Sequence, residues 1–99
     1  MQLVIERGEP KVVLEGPFDR HTAPEIRKKL LRVIRRKGSK RVEVNLSGVT
    51  SMDTAGIAVL VEVLKLLSRK GRELRLTGMN DRATRLIHLA RLDQAFKII

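Results

Sequence analysis

No cysteine occurs among the 99 residues of this chain. That excludes a disulfide framework and any thiolate metal site. It is compatible with the reducing cytoplasm, which is the expected location. Tryptophan and tyrosine are also missing, so Phe18 and Phe96 are the only aromatic rings. Single-stranded nucleic acid is held by stacking bases on such rings, and no stacking platform exists here. Neither a zinc-finger spacing nor a helix-turn-helix pattern supplies a duplex reader, so a nucleic-acid partner is disfavoured. Long apolar runs are lacking too. The longest, Ile57 to Leu67, is broken by Glu62 and Lys65 and ends in Ser68-Arg69-Lys70. It reads as a buried helix, and membrane insertion is not expected. Met1–Arg7 is too short and too charged to read as a signal peptide.

The apparatus of catalysis is missing as well. His21 and His88 are the only histidines, with no second histidine or carboxylate at ligand spacing, so no metal site is expected. No spacing argues for convergence of Ser, His and an acid into a hydrolase triad. No Gly-x-x-x-x-Gly-Lys-Ser/Thr loop is present to cradle a phosphate. A non-enzymatic protein without a cofactor is expected, in one domain spanning residues 1–99.

Positive charge is abundant. The chain has 21 Lys and Arg against 11 Asp and Glu, a net charge of +10. Nine of the 21 lie between Arg27 and Arg41, with no acid among them. Such a run is usually a solvated helix face, yet it would also attract an anionic or acidic partner.

The apolar pattern alternates between two periods. Leu3-Val4-Ile5 and Val12-Val13-Leu14 read as strands of a hairpin across Arg7-Gly8-Glu9-Pro10. Gly16-Pro17 should end the second strand, since Pro cannot donate to a ladder. Thr22 and Glu25 fit a capping box, with Pro24 tolerated in the first turn. Ile26, Leu30, Val33 and Ile34 then recur at helical spacing, and Gly38 suits the stop. Arg41–Leu46 alternates as a strand with one covered face. A polar loop leads through Asp53-Thr54-Ala55-Gly56 into a helix from about Ala55 to Lys70, apolar nearly all round and closed by Gly71. Glu73–Thr77 alternates again. Asn80-Asp81 can cap a last helix with Ala83, Leu86, Ile87 and Ala90 on one face. Phe96, Ile98 and Ile99 close the chain as a short strand or packed tail. The order β-β-α-β-α-β-α predicts an α/β domain, a mixed sheet of four to five strands with about three helices on one face.

Asp53 and Thr54 stand where a helix presents unpaired N–H groups. One of them is expected to be an N-cap, worth about 1 kcal/mol. A hydroxyl at such a tip can also accept a phosphate, because a helix N-terminus tolerates an anion. Gly48 and Gly56 suit backbone relief at a turn and at close helix packing. Met52 suits core filling, and His21 suits an exposed turn, with the rim of a binding surface as the alternative.

Three segments together resemble the STAS family, the domain shared by sulphate transporters and anti-sigma factor antagonists. Leu14–Ala23 is similar to the family's Gly-x-x-Asp turn into its first helix. Asn45–Gly56 is similar to its signature loop. Leu74–Gly78, followed by Leu86, Leu89, Leu92 and Phe96, is similar to its C-terminal strand and helix. The resemblance implies a protein that binds partners and turns over no substrate. In the antagonist branch, the hydroxyl residue directly after the loop aspartate is phosphorylated by a partner kinase; carried across, that residue is Thr54. The family often has Ser there, sporulation-type members commonly carry a second Ser where Ala55 stands, and the strand often ends in Asp where Asn45 stands. The resemblance implies partner switching with an anti-sigma factor that has serine/threonine kinase activity. The implied surface is Asp19, His21, Thr22, Ser51, Met52, Asp53, Thr54, Ala55 and Gly56. An alternative is a cytosolic subunit docking on the ATPase of an ABC lipid transporter of the Mla kind, to which Asp53-Thr54-Ala55-Gly56 and Gly78-Met79-Asn80-Asp81 are also similar.

Overall fold

Among the described residues the two apolar periods resolve into five strands and three helices. The computed structural model describes residues 1–36, 40–92 and 96–98. In chain order the elements are β1 (Gln2–Glu6), β2 (Glu9–Phe18), α1 (Ala23–Ile34), β3 (Arg41–Met52), α2 (Thr54–Arg69), β4 (Glu73–Thr77), α3 (Asp81–Leu89) and β5 (Lys97–Ile98). Gly38 and Ile99 lie outside the described residues. Among the described residues no helix is long and apolar enough to cross a membrane.

The strands lie side by side in sequence order. β1 pairs with β2 antiparallel, and every later pair is parallel. Crossovers between parallel strands are right-handed almost without exception. When each strand is added on the same side of its predecessor, every crossover helix must land on the same face of the sheet. Burial follows that rule. Val12 and Leu14, Val42, Val44 and Leu46, and Leu74 and Leu76 are buried, while the intervening Lys11, Val13, Glu43, Asn45 and Arg75 are half-buried. Leu30, Val33 and Ile34 of α1, Leu60, Val63 and Leu67 of α2, and Ile87 of α3 complete the core. Phe96 joins them just before β5. The open face is tied by charge instead, through Lys11–Glu43 at 3.4 Å, Arg41–Glu73 at 3.3 Å and Arg75–Glu73 at 2.9 Å. The mixed sheet with helices on one face is thus the observed architecture.

Several boundaries differ from the pattern, each for a tertiary reason. The hairpin turn is only Arg7-Gly8, both at positive φ (54° and 77°). That backbone matches the twist of the flanking strands, and it lets Glu9 and Pro10 join β2 opposite Glu6 and Ile5. β2 does not stop at Gly16-Pro17. Its register against β3 slips between Val13 and Glu15 and again between Gly16 and Pro17, with Gly16 at φ 78°. A bulge of this kind accommodates a proline that has no N–H to give. The expected loop after Leu46 is likewise strand: β3 continues to Met52 because β2 supplies partners for Gly48, Val49, Ser51 and Met52. Gly48 therefore relieves a strand, not a turn; a Cβ there would stand 3.0 Å from the Leu14 carbonyl oxygen. Ile26 is only half-buried, and Ala90, expected on the buried face of the last helix, is exposed as the C-cap of α3. Gly71 ends α2 as expected, at φ 68°. Its N–H donates to the Ser68 carbonyl (3.1 Å), and the Arg72 N–H donates to the Leu67 carbonyl (2.9 Å), the paired bonds of a Schellman close.

Leu60 is 0% exposed and Leu89 is 74% exposed. Leu60→Ala is expected to lower the unfolding free energy by about 2–5 kcal/mol. Leu89→Ala should change it by less than about 0.5 kcal/mol. Urea denaturation of both variants checks the assignment.

Candidate functional site

β2 and β3 end together, with Phe18 opposite Met52. In α/β folds the carboxyl ends of parallel strands are where ligand and partner surfaces form. Two helix N-termini, those of α1 and α2, emerge here, and an aspartate opens each of them.

Asp53 is the residue between β3 and α2. Its backbone is extended (φ −120°, ψ −172°), which places it at the N-cap. Its Oδ1 accepts the N–H groups of Ala55 (2.9 Å) and Gly56 (3.2 Å). Its carbonyl accepts the Ile57 N–H (3.1 Å), the first bond of the helix. Its Oδ2 reaches to the neighbouring turn and accepts the Arg20 N–H at 3.2 Å. One carboxylate thus holds N–H groups from segments 33 residues apart. The alternative caps, Asp53 or Thr54, resolve to Asp53.

Asp19 repeats the arrangement at α1. Its Oδ1 accepts the N–H groups of His21 (2.9 Å) and Thr22 (3.1 Å), and its carbonyl accepts that of Ala23 (2.7 Å). The bond from the Thr22 N–H, then that from the His21 N–H, holds the Asp19 carboxyl below its ordinary range, against a smaller opposing effect of burial. The expected capping box of Thr22 and Glu25 does not form. Thr22 stands at the cap position in helical backbone (φ −94°, ψ −22°) and makes no side-chain cap bond. Its Oγ1 instead accepts the Asp19 N–H (3.0 Å) and donates to the Pro17 carbonyl (2.8 Å). The hydroxyl is turned back onto the end of β2, and the Asp19 carboxylate holds the turn that leads into α1.

Thr54 is the first residue of α2 and is exposed. Among the described residues its hydroxyl has no hydrogen-bond partner. His21 and Ser51 are also exposed, and Asp19, Thr22, Met52, Asp53 and Ala55 are half-buried. Ser51 and Met52 belong to β3 and not to a loop; the register slip between Val49 and Ser51 breaks the alternation there, so Ser51 is exposed while Met52 packs against the core. Gly56 must be removed from the expected contact surface, because it is buried. A Cβ there would stand 2.5 Å from the Phe18 carbonyl oxygen and 3.1 Å from Met52 Cγ. Glycine at this position lets α2 seat against the end of β2. The structure therefore brings the Asp19–Thr22 turn and the Ser51–Ala55 tip to one end of the sheet. Phe18 and the Arg20 backbone, which complete the join, carry no local signal because their partners are distant in sequence. No group of three metal-holding side chains occurs among the described residues.

Comparison with known proteins bears on the chain as a whole. The STAS domain family matches residues 2–99. The anti-sigma-B factor antagonist of Staphylococcus aureus (strain NCTC 8325 / PS 47) is 34% identical over 82 residues, which is 83% of this chain and 75% of that protein. The crystal structure of TM1081 from Thermotoga maritima superposes with a TM-score of 0.90 at 25% identity, covering 98% of this chain and 83% of that one. The Bacillus cell fate determinant SpoIIAA in its phosphorylated form shares the fold, with a TM-score of 0.75 at 18% identity over 99% of this chain and 89% of that one.

Asp53→Ala is expected to cost about 1–2 kcal/mol of unfolding free energy, because a helix cap is lost. Thr54→Ala, which removes no bond of the fold, should stay within about 0.5 kcal/mol; denaturant titration of the pair reads the difference. The Asp19 carboxyl should titrate below its ordinary value of 3.8 in a carbon-detected NMR experiment. A folded carboxyl with a lowered pKa binds its proton more weakly than the unfolded one. The turn is therefore fully stabilised above the ordinary carboxylate range and loosens as pH falls through the lowered value.

Proposed function

The chain belongs to the STAS domain family and is anti-sigma factor antagonist-like within it, and on that premise we propose that it is a partner switch controlled by phosphate on Thr54. In this reading the unphosphorylated protein binds an anti-sigma factor that has serine/threonine kinase activity. The contact surface is Asp19, His21 and Thr22 together with Ser51, Met52, Asp53, Thr54 and Ala55. Phosphate transfer to the Thr54 hydroxyl then ends the complex.

One observation carries the reading: Asp53 makes the cap bonds of α2, so the Thr54 oxygen has no structural task and stands exposed. A phosphate there would add about −1.5 to −2 charges. The adjacent helix N-terminus stabilises an anion, so the fold has no reason to change. At a docked surface the same charge, added beside the Asp53 carboxylate, must be desolvated or must face a partner's acid. The switch then works at the interface and not through unfolding. That SpoIIAA, a protein of this fold, has a phosphorylated form supports the reading. Of the two motifs behind transporter docking, Gly78-Met79-Asn80-Asp81 has structural tasks instead. Asn80 caps α3 by accepting the Ala83 N–H at 2.8 Å. Gly78, at φ 68°, leaves no room for a Cβ beside Asn45 and Ser47.

Thr54→Glu is expected to weaken binding to a cognate anti-sigma factor kinase at least tenfold, about 1.4 kcal/mol, while Thr54→Ala keeps wild-type affinity. Incubation with kinase and ATP should place phosphate on the Thr54 peptide of the wild type and not on Thr54→Ala. Titration calorimetry and mass spectrometry read the two outcomes. Equal affinity of wild type and Thr54→Glu would rule the electrostatic switch out.

A further inference from the structure

A groove of about 770 Å³ runs between α1 and α2, beginning beside the Thr54 tip. Its floor is apolar, made by Ala23 and Leu31 of α1 and by Ala55 and Val59 of α2. Its rim is cationic: Arg20, Lys28, Arg32 and Arg35 stand along it, and no acid lines it. Arg27 also reaches the groove, but Glu62 engages it through two bonds of 2.7 and 2.6 Å. Among the described residues the other four cations have no ion-pair partner. We propose that this groove is a docking site for an acidic amphipathic helix of a partner protein.

The first support is electrostatic. Like charges at i,i+3 or i,i+4 spacing on a helix, such as Lys28 with Arg32 and Arg32 with Arg35, each cost a few tenths of a kcal/mol. Glu25, three residues before Lys28, and the helix C-terminus near Arg32 offset part of that repulsion; no ion pair among the described residues offsets the rest, whereas an acidic occupant would. The second support is shape. The lining residues recur along the 12-residue α1, which is about 18 Å long. Cations distributed over that length suit an elongated ligand. A compact anion would require them to converge. The third support is the floor. Ala23 and Ala55 are small, so the floor leaves depth between the helices, and Leu31 and Val59 give it apolar walls. A helix that carries Leu, Ile or Met at i, i+3, i+4 and i+7 fills such a floor, while Asp and Glu on its flanks meet the rim. A nucleic-acid backbone offers charge but no apolar ridge. A lipid surface is flat and does not enter a concavity. The site goes beyond the switch proposed above, because the groove would hold its helix whether or not Thr54 ever receives phosphate.

The test uses the full chain and synthetic peptides of about four helical turns. One peptide has an apolar Leu stripe flanked by Glu; a second has the same stripe flanked by Lys; a third is oligo-Glu without Leu. Vesicles of phosphatidylcholine and phosphatidylglycerol form a fourth arm. Amide shifts in a two-dimensional NMR titration locate binding, and fluorescence anisotropy measures it. The Leu/Glu peptide is expected to bind and to shift Ala23, Leu31, Ala55 and Val59. The double variant Lys28→Glu/Arg32→Glu should weaken it at least tenfold; both positions are exposed, so the fold should be kept, with circular dichroism as the check. Leu31→Ser should weaken it as well, and should the variant unfold, the charge variant still decides. Equal binding of the Leu/Lys peptide overturns the proposal, as do shifts confined to another face. Oligo-Glu binding as tightly as Leu/Glu would reduce the groove to a charge patch and also overturns it. So does binding to anionic vesicles without binding to the peptide. No anti-sigma factor is present in these measurements, so their failure leaves the Thr54 switch standing, and failure of the switch leaves the groove standing.

Discussion

The end of this molecule where β2 and β3 finish depends on one carboxylate. Asp53 divides its two oxygens between the tip of α2 and the turn before α1, Oδ1 to the N–H groups of Ala55 and Gly56 and Oδ2 to that of Arg20. Hydrogen bonds to an ionised acceptor are stronger than those between neutral groups. They convert two turns that are distant in sequence into one rigid corner. The same geometry frees the neighbouring residue. Thr54 lies where a hydroxyl would commonly be consumed as a cap, and because Asp53 has taken that role its oxygen is exposed. The switch proposed for Thr54 needs this separation of tasks. If Thr54 itself held the helix, any modification of it would alter the fold.

The corner is supported from below by the order of the strands. A sheet built in one direction places α1 and α2 on the same face and side by side, with both N-termini at the carboxyl ends of β2 and β3. Gly56 then lets α2 approach the Phe18 carbonyl more closely than any side chain permits. The bidentate Arg27–Glu62 pair joins the exposed sides of the two helices. That bonding raises the pKa of Arg27 and, with its attraction, lowers that of Glu62. A half-exposed pair of this kind contributes little to stability. It spans the exposed sides of the two helices beside the groove, which Arg27 also lines.

Much of this was legible along the chain wherever the signal is local. Period-two alternation in Arg41–Leu46 and Glu73–Thr77 marks half-covered strands, and those residues are strand. Asn80 precedes a helical stripe and caps it; Gly71 follows one and ends it. Adjacent acid and hydroxyl before an apolar helix mark Asp53 and Thr54 as the residues of interest. Local signal misled where long-range pairing competes with it. Pro17 reads as a strand end, and Ser47-Gly48-Val49-Thr50-Ser51 reads as a loop. Each lies in a strand because the other strand supplies its partners through a slipped register. Thr22 has the right residue type and position for a cap. Yet its hydroxyl bonds to Pro17, a contact set by how α1 leaves the sheet.

The sequence by itself determined the element order, the covered face of the sheet, the family and the hydroxyl at the mouth of the second helix. These depend on periodicity, on residue type and on short spacings, which act over one or two turns of chain. Only the tertiary structure decided that Asp53 caps while Thr54 stands free, and that Gly56 is buried while Ser51 is exposed. It also decided that Arg20 and Asp53 meet, and that scattered cations of α1 border an apolar channel. Those facts depend on which distant segments share a hydrogen bond or a van der Waals contact. Packing alone sets such partnerships, because a carboxylate or a glycine looks the same in the chain whatever comes to lie against it.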